Sequence, residues 1–147
     1  MRKFVLDTCI LLHYIRQNDT ARRVEAQLNL LATDAVLFIS SATVGEIEGF
    51  LQRQKWGQPK VKQMKKLLKN MVAIDIDATD YQLMQSYATL WNYSKNALAG
   101  NKLGRSIGIG QNDVWIAALA KTAKAELVTT DSDFDHLNGQ WITVHKF

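Results

Sequence analysis

Cysteine and proline are scarce in this sequence, and each occurs only once in 147 residues. The single cysteine, Cys9, excludes an internal disulfide and a zinc site built from several thiolates. A free thiol of this kind is typical of proteins that stay in a reducing compartment. We therefore expect a cytoplasmic protein.

Long hydrophobic runs are also missing, and no stretch has the length needed to span a bilayer. The first residues lead into a short apolar run that ends at Asp7, which is unlike a signal peptide. We therefore expect no membrane association and no secretion. Repeats, linkers and low-complexity segments are absent too, so we expect one domain over residues 1–147, with 47% apolar residues available for its core.

What the sequence does contain is an alternation of short apolar runs with amphipathic segments. Five runs predict strands, at residues 3–6, 36–39, 71–76, 126–130 and 141–144. The last of them is predicted to be an edge strand. This alternation predicts an α/β fold with a mainly parallel central sheet of four to five strands, flanked by helices and joined by right-handed crossovers.

Capping residues indicate where the first helices begin. Asp19 or Thr20 is predicted to cap a helix that runs to about Leu31. Thr43 and Glu46 match a capping box, which places Glu46 in the first turn of the helix after the second strand.

The second half of the sequence shows comparable signals. Residues 52–69 predict a helical hairpin that is broken around Gly57 and Pro59. Asp77 or Thr79 is predicted to cap the helix after the third strand. Tyr81 falls on the same helical face as the other large side chains of that helix. Residues 96–110 form the longest irregular stretch.

Four acidic residues fall at equivalent places in this pattern. Asp7 ends the first strand and Asp131 ends the fourth, while Glu46 and Asp113 are predicted in the first turns of two helices. Because such positions lie at one edge of a parallel sheet, we expect the four carboxylates to converge. Each acid alone has a structural alternative, as a turn or capping residue, so the functional hypothesis rests on all four together.

Converging carboxylates repel one another and raise one another's pKa values unless a cation lies between them. Mg²⁺ or Mn²⁺ prefers oxygen ligands and leaves room for phosphate oxygens. Such an ion can activate a water molecule and neutralise charge on a phosphodiester. No histidine or cysteine cluster suggests a different chemistry.

Four segments resemble the signature blocks of PIN-domain nucleases, in the order and at the spacing of that family. They are residues 6–8 (Leu-Asp-Thr), 40–46, 112–118 (Asn-Asp-Val-Trp-Ile-Ala-Ala) and 129–134 (Thr-Thr-Asp-Ser-Asp-Phe). The block at 112–118 is the most specific of them. Among PIN-domain proteins, the chain is most similar to the small VapC-type toxins of bacterial toxin–antitoxin pairs. Cys9 departs from the pattern, because the family often has a small polar residue there.

This resemblance implies a metal-dependent endoribonuclease that an antitoxin holds inactive, commonly as a homodimer. It assigns the catalytic and metal-binding roles to four acids, Asp7, Glu46, Asp113 and Asp131, with Mg²⁺ or Mn²⁺ as the cofactor. It makes Asp133 an auxiliary acid. It also implies that Thr8 and Thr129 or Thr130 orient the carboxylates.

Basic residues offer candidate contacts to the RNA substrate. Lys102 and Arg105 lie in the glycine-containing stretch before Asp113, which lacks the ending of a phosphate-binding P-loop. A mobile surface connection is the alternative for that stretch. Five lysines between residues 60 and 69 form one helical face, for which a solvated surface is the alternative. The net charge of +4 agrees weakly with a polyanionic partner.

Two other functional classes fit the sequence less well. A catalytically silent RNA-binding or protein-binding domain has the same fold, but it does not need all four acids. An aspartyl phosphatase that uses Asp7 as its nucleophile needs a second aspartate two residues later, where Cys9 stands. A receiver needs its phosphoacceptor aspartate after the third strand and a lysine late in the chain, and Asp75 and Asp77 fit that pattern poorly.

Overall fold

Five strands form one sheet in which every pairing is parallel. In chain order they are β1 (Arg2–Leu6), β2 (Ala35–Ser40), β3 (Val72–Ile74), β4 (Glu126–Thr129) and β5 (Val144–Lys146). Their order across the sheet is β3-β2-β1-β4-β5. A computed structural model describes all residues, 1–147, and it confirms the predicted parallel α/β fold.

Six α-helices and one short 3-10 helix connect and cover the strands. The helices are α1 (Thr8–Arg16), α2 (Asp19–Leu28), α3 (Ser41–Gln54), α4 (Gln58–Lys69), α5 (Tyr81–Ser94) and α6 (Gln111–Ala123), and the 3-10 helix is Ser132–Leu137. None of the helices has the length and hydropathy needed to cross a membrane.

The strand order creates one special position at the carboxyl edge of the sheet. From β1 the chain moves outward through β2 to β3, and later returns to the other side of β1 with β4 and β5. Between β1 and β4 the connections therefore leave in opposite directions, which opens a crevice between the segments that follow these strands. Asp7 follows β1 and Thr129 ends β4, so both lie at this switch point.

Alternating side chains of the central strands fill two separate cores, one on each face of the sheet. Val5 and Leu127 point to the core that α5 and α6 cover. Phe4 and Leu6, by contrast, belong to the core under α1, α2 and α4. Because both faces of β1 are buried, its apolar run is continuous. Asp7, the residue directly after the strand, is the first whose side chain lines a polar pocket.

Several predicted boundaries on the first half of the chain are wrong. Helix α2 is capped by Asn18, whose side chain accepts a hydrogen bond from the Ala21 N–H, and the helix ends at Leu28 rather than Leu31. The predicted capping box is also wrong, because Ser40 caps α3 by accepting from the Ala42 N–H. The helix thus begins earlier than predicted.

Corrections in the second half concern the edge of the sheet and α5. Strand β3 covers only Val72–Ile74, and β5 begins at Val144 instead of occupying residues 141–144. Edge strands pair on one side only, so their apolar pattern marks their ends poorly. Asp80 caps α5 by accepting from the Leu83 N–H. Tyr81 is 70% exposed and does not join the packed face.

Candidate metal centre

Asp7 is the most buried acid of the predicted set. Its side chain is at the switch point, caps α1 by accepting from the Thr8 N–H at 2.7 Å, and is only 6% exposed. The Thr129 hydroxyl donates to the other carboxylate oxygen, also at 2.7 Å. Two short hydrogen bonds therefore fix the orientation of this carboxylate.

Thr129 connects the acids that follow the two central strands. Its hydroxyl is fully buried, donates to Asp7 Oδ2 and accepts from the Asp131 N–H at 3.0 Å. The Asp131 side chain in turn caps the 3-10 helix by accepting from the Asp133 N–H at 2.9 Å. The resemblance left Thr129 and Thr130 as alternatives, and the contact to a carboxylate belongs to Thr129.

Three carboxylates come closest together at this edge of the sheet. Asp113, Asp131 and Asp133 each offer an oxygen, and these oxygens lie within 4.8 Å of one another. Asp113 is in the first turn of α6, as predicted, directly after the irregular stretch that ends at Gly110. The helix start and the 3-10 helix thus bring acids from distant parts of the sequence together.

Glu46 lines the same pocket but is not part of the tight group of three carboxylates. Because α3 begins at Ser41, Glu46 is in the second helical turn and not in the first, which corrects its predicted position. Thr43 is buried and accepts a hydrogen bond from the Thr8 hydroxyl at 3.3 Å. Thr43 and Glu46 therefore do not form the predicted capping box.

All four predicted acids line one open pocket of about 630 Å³. The pocket also contains Thr8, Cys9, Leu12, Thr130 and Ser132. Asp7 and Asp113 therefore share a cavity although 106 positions separate them in the sequence. Asp133 is outside this lining but belongs to the tight group with Asp113 and Asp131.

The remaining predicted residues take structural contacts here. The Thr8 hydroxyl donates to Thr43, and the Thr130 hydroxyl donates to the Cys9 thiol at 3.3 Å. Burial, and then the charge of Asp7, raises the pKa of Cys9 to about 11. A thiol with so high a pKa is a poor nucleophile.

Lys102 and Arg105 both lie in the ordered stretch between α5 and α6. Both side chains are exposed. The Lys102 ammonium group donates to the Asn96 carbonyl at 3.3 Å, and the Asn96 side chain accepts from the Gly104 N–H at 2.9 Å. The Lys95 ammonium group donates to the backbone carbonyls of Ile107 and Ile109, at 2.9 and 3.2 Å, and anchors this stretch further.

The acids destabilise one another's ionised forms. Burial, followed by the charges of Asp7, Asp131, Glu46 and Asp133, raises the pKa of Asp113 to about 7. Burial also raises the pKa of Asp7 and that of Glu46, and for Glu46 the charge of Asp7 adds to the shift. None of the four ion pairs in the structure includes a carboxylate of this pocket.

The metal-free protein is expected to lose stability as the pH rises. Asp113 has a folded-state pKa of about 7 against an ordinary value of 3.8. The folded state therefore keeps a proton that the unfolded state releases. As a result, the free energy of unfolding falls as the pH rises from 3.8 to about 7. Urea unfolding in EDTA across this range measures the fall. Asp113→Asn is expected to flatten it, and equal pH dependence in both proteins would contradict this origin.

The donor set fits a hard divalent cation. Every group that points into the tight cluster is a carboxylate, with no thiolate or imidazole among them, and such oxygen donors suit Mg²⁺ or Mn²⁺. No lysine or arginine pairs with these acids, so a cation would supply charge balance that the chain itself lacks.

Comparisons with known proteins agree with this architecture. A family model described as "PIN domain" matches residues 4–140. Among solved structures, VapBC2 from Rickettsia felis bound to a DNA fragment from its promoter is 23% identical, with a TM-score of 0.72 and coverage of 98% of both chains. VapBC-1 from nontypeable Haemophilus influenzae is 19% identical, with a TM-score of 0.72 and coverage of 98% of this chain and 97% of the other.

FitAcB from Neisseria gonorrhoeae is similar as well, at 23% identity and a TM-score of 0.71, with coverage of 97% of this chain and 96% of the other. At these identities the similarity establishes the fold. A comparison with curated protein sequences finds no match.

Proposed function

Because this chain belongs to the PIN-domain family, we propose that it is a divalent-metal-dependent endoribonuclease and the toxin of a toxin–antitoxin pair. The observation that carries the proposal is the single pocket at the switch point, which Asp7, Glu46, Asp113 and Asp131 all line. The family match covers every one of these positions. PIN domains form a nuclease family, and this chain retains the acidic pocket that the chemistry needs.

Asp7, Glu46, Asp113 and Asp131 would hold Mg²⁺ or Mn²⁺, and Asp133 would be an auxiliary acid beside them. When bound, the ion supplies an activated water molecule and neutralises charge on the phosphodiester. The chain contributes the fixed positions of the acids. Asp113 is also expected to give up a proton when the cation binds, because its raised pKa leaves it partly protonated near neutral pH.

Exposed cations near the pocket would receive the RNA backbone. Lys102 and Arg105 lie in the stretch that leads directly to α6 and Asp113, and neither takes part in an ion pair. The net charge of +4, despite the acidic pocket, leaves the rest of the surface basic. Such a surface attracts a polyanion toward the pocket.

The toxin role rests on the similarity to solved structures of VapBC proteins, a family of toxin–antitoxin systems. A neighbouring reading frame for a small antitoxin would support it. Expression of this chain alone is then expected to arrest growth, and Asp7→Ala is expected to relieve the arrest. Growth that continues without the antitoxin would contradict the toxin role.

The homodimer and the cytoplasmic location stay predictions.

Cleavage of a labelled single-stranded RNA by the purified, antitoxin-free protein tests the activity. We expect internal cleavage with Mg²⁺ or Mn²⁺ and none after EDTA. Restoring the metal should restore cleavage. RNA that remains intact with either metal would contradict the enzymatic proposal and favour a catalytically silent binding domain on the same fold.

Thr129→Val tests how the chain positions the carboxylates. The substitution keeps the shape but leaves buried Asp7 without its hydroxyl donor and the Asp131 N–H without its acceptor. Loss of such a supporting contact is expected to weaken Mn²⁺ affinity by about 10–100-fold, as measured by calorimetric titration. Thr130→Val is the matched control, because that hydroxyl contacts only Cys9. Equal affinities for both variants would contradict the role of Thr129.

A further inference from the structure

A second pocket continues from the acidic one along the surface. Its volume is about 480 Å³, and it shares Thr8, Leu12 and Glu46 with the acidic pocket. The other residues of its lining come mainly from α3, with Asn112 from the start of α6. We call this pocket the α1–α3 trough.

The two helices present regular rows of residues to the trough. On α1, Thr8 and Leu12 line it, and Arg16 follows one turn later on the same face. On α3, Gly45, Gly49 and Arg53 line it at the same four-residue spacing. The lining therefore includes the Glu46 carboxylate, which the acidic pocket shares, and the Arg53 guanidinium two helical turns further along α3.

One aromatic ring holds both arginines in place. The guanidinium carbon of Arg16 lies 5.8 Å from the centroid of the Phe50 ring, and that of Arg53 lies 6.0 Å from it. Trp56 packs edge-on against the same ring at 5.0 Å, with the Lys60 ammonium 5.2 Å from the Trp56 centroid. These contacts restrict the arginine side chains and so reduce the entropy lost when they bind a ligand.

Neither arginine has an anionic partner within the chain. Both side chains are exposed, and the four ion pairs of the structure involve other residues. The planar donors of Arg16 and Arg53 are thus free to contact phosphate oxygens, which they match in geometry. Two guanidinium groups beside a pocket of carboxylates suit a polyanion with several phosphates. One phosphate would contact the arginines, and another would lie beside the acids.

We propose that the α1–α3 trough binds single-stranded RNA on one side of the cleaved bond, with Arg16 and Arg53 contacting its backbone phosphates. This inference rests on the proposed ribonuclease function. Helices α1 and α3 flank the trough and supply most of its lining. Its floor has little side-chain bulk: a Cβ on Gly45 would meet nothing within 4 Å, and one on Gly49 only the Arg53 guanidinium at 3.7 Å.

The lining favours a nucleic acid over a protein segment. A groove that receives an amphipathic helix is mainly apolar, whereas polar, charged and glycine residues make up most of this lining. The positive charge of the two arginines likewise complements a polyanionic backbone.

The salt dependence of RNA binding tests the proposal without requiring turnover. Binding of a fluorescent single-stranded RNA is measured by anisotropy across a range of KCl concentrations, in EDTA and in an Asp113→Asn background. Each lost phosphate contact lowers the slope of log affinity against log salt by about 0.7 for a single strand. We therefore expect Arg16→Gln with Arg53→Gln to lower the slope by about 1.4.

Lys3→Gln is the matched control, because Lys3 is exposed near the amino end of β1, at the opposite edge of the sheet. It removes one positive charge and should leave the slope unchanged. A double arginine variant with the wild-type slope overturns the trough proposal, and if the wild-type protein still cleaves RNA, the proposed function stands.

Two further outcomes are also decisive. If the background protein binds no RNA, the trough proposal is wrong, and cleavage by the wild-type protein decides the proposed function separately. If the double variant keeps its RNA affinity but no longer co-purifies with a coexpressed antitoxin, the trough is a protein interface and the proposal is wrong.

Discussion

Replacing Asp113 with asparagine is expected to slow RNA cleavage by about 100- to 1,000-fold, the scale of losing one electrostatic group in an active site. The side chain keeps its size and its place in the first turn of α6. It loses the charge that would hold a cation beside Asp131 and Asp133. Cleavage rates at saturating Mn²⁺ measure the effect.

The fold of this variant is expected to remain intact, because Asp113 makes no ion pair and its charge is unfavourable in the folded state. Circular dichroism and urea unfolding check this expectation. Asp75→Asn is the matched control, since Asp75 is an exposed aspartate just after β3 and outside the pocket. An Asp113→Asn protein that cleaves at the wild-type rate would remove this acid from the mechanism.

Replacing Phe134 with alanine is expected to lower the free energy of unfolding by about 3–5 kcal/mol, the usual cost of removing a large buried aromatic side chain. Phe134 is fully buried in the core under α5 and α6. It also belongs to the 3-10 helix that begins directly after Asp131 and includes Asp133. Its ring therefore anchors the segment that carries two acids of the tight cluster. Urea unfolding measures the loss.

Tyr81→Ala is the control for this substitution, because Tyr81 is 70% exposed and should change stability by only about 0.5 kcal/mol or less. If the Phe134→Ala protein stays folded at low temperature, its Mn²⁺ affinity should fall too, since the 3-10 helix loses its anchor. A variant as stable as the Tyr81→Ala control would contradict this role of Phe134.

The sequence was sufficient to predict the sheet and the identity of the main acids. Continuous apolar runs that end at polar residues indicated β1 and β4, because both strands are buried on both faces. Once the sheet is parallel, the end of each strand falls at the same edge, so Asp7 and Asp131 could be placed without coordinates. The resemblance to PIN-domain nucleases pointed to the same residues.

The start of α3 could not be predicted reliably from local signals. Ser40, Ser41 and Thr43 can each cap a helix, and the Thr43 and Glu46 pair offered the more complete motif. The structure instead uses Ser40, because Thr43 is needed in the interior against Thr8. Tertiary packing thus decided among several acceptable caps, and Glu46 moved to the second turn as a result.

The arginine pair of the trough was missed entirely. Arg16, Phe50 and Arg53 carry no recognisable motif. Their association depends on how α1 and α3 lie side by side, which no periodicity within either helix reveals. The contact from Thr129 to Asp7 also joins residues that lie 122 positions apart in the sequence, and there the resemblance, not the periodicity, named Thr129 or Thr130.

Diffraction from crystals soaked in Mn²⁺, recorded near the manganese absorption edge, tests the central claim most directly. The account predicts an anomalous peak in the pocket at the switch point, within bonding distance of carboxylate oxygens of Asp7, Asp113 and Asp131. Ordered manganese elsewhere on the protein with no peak among these acids would contradict it.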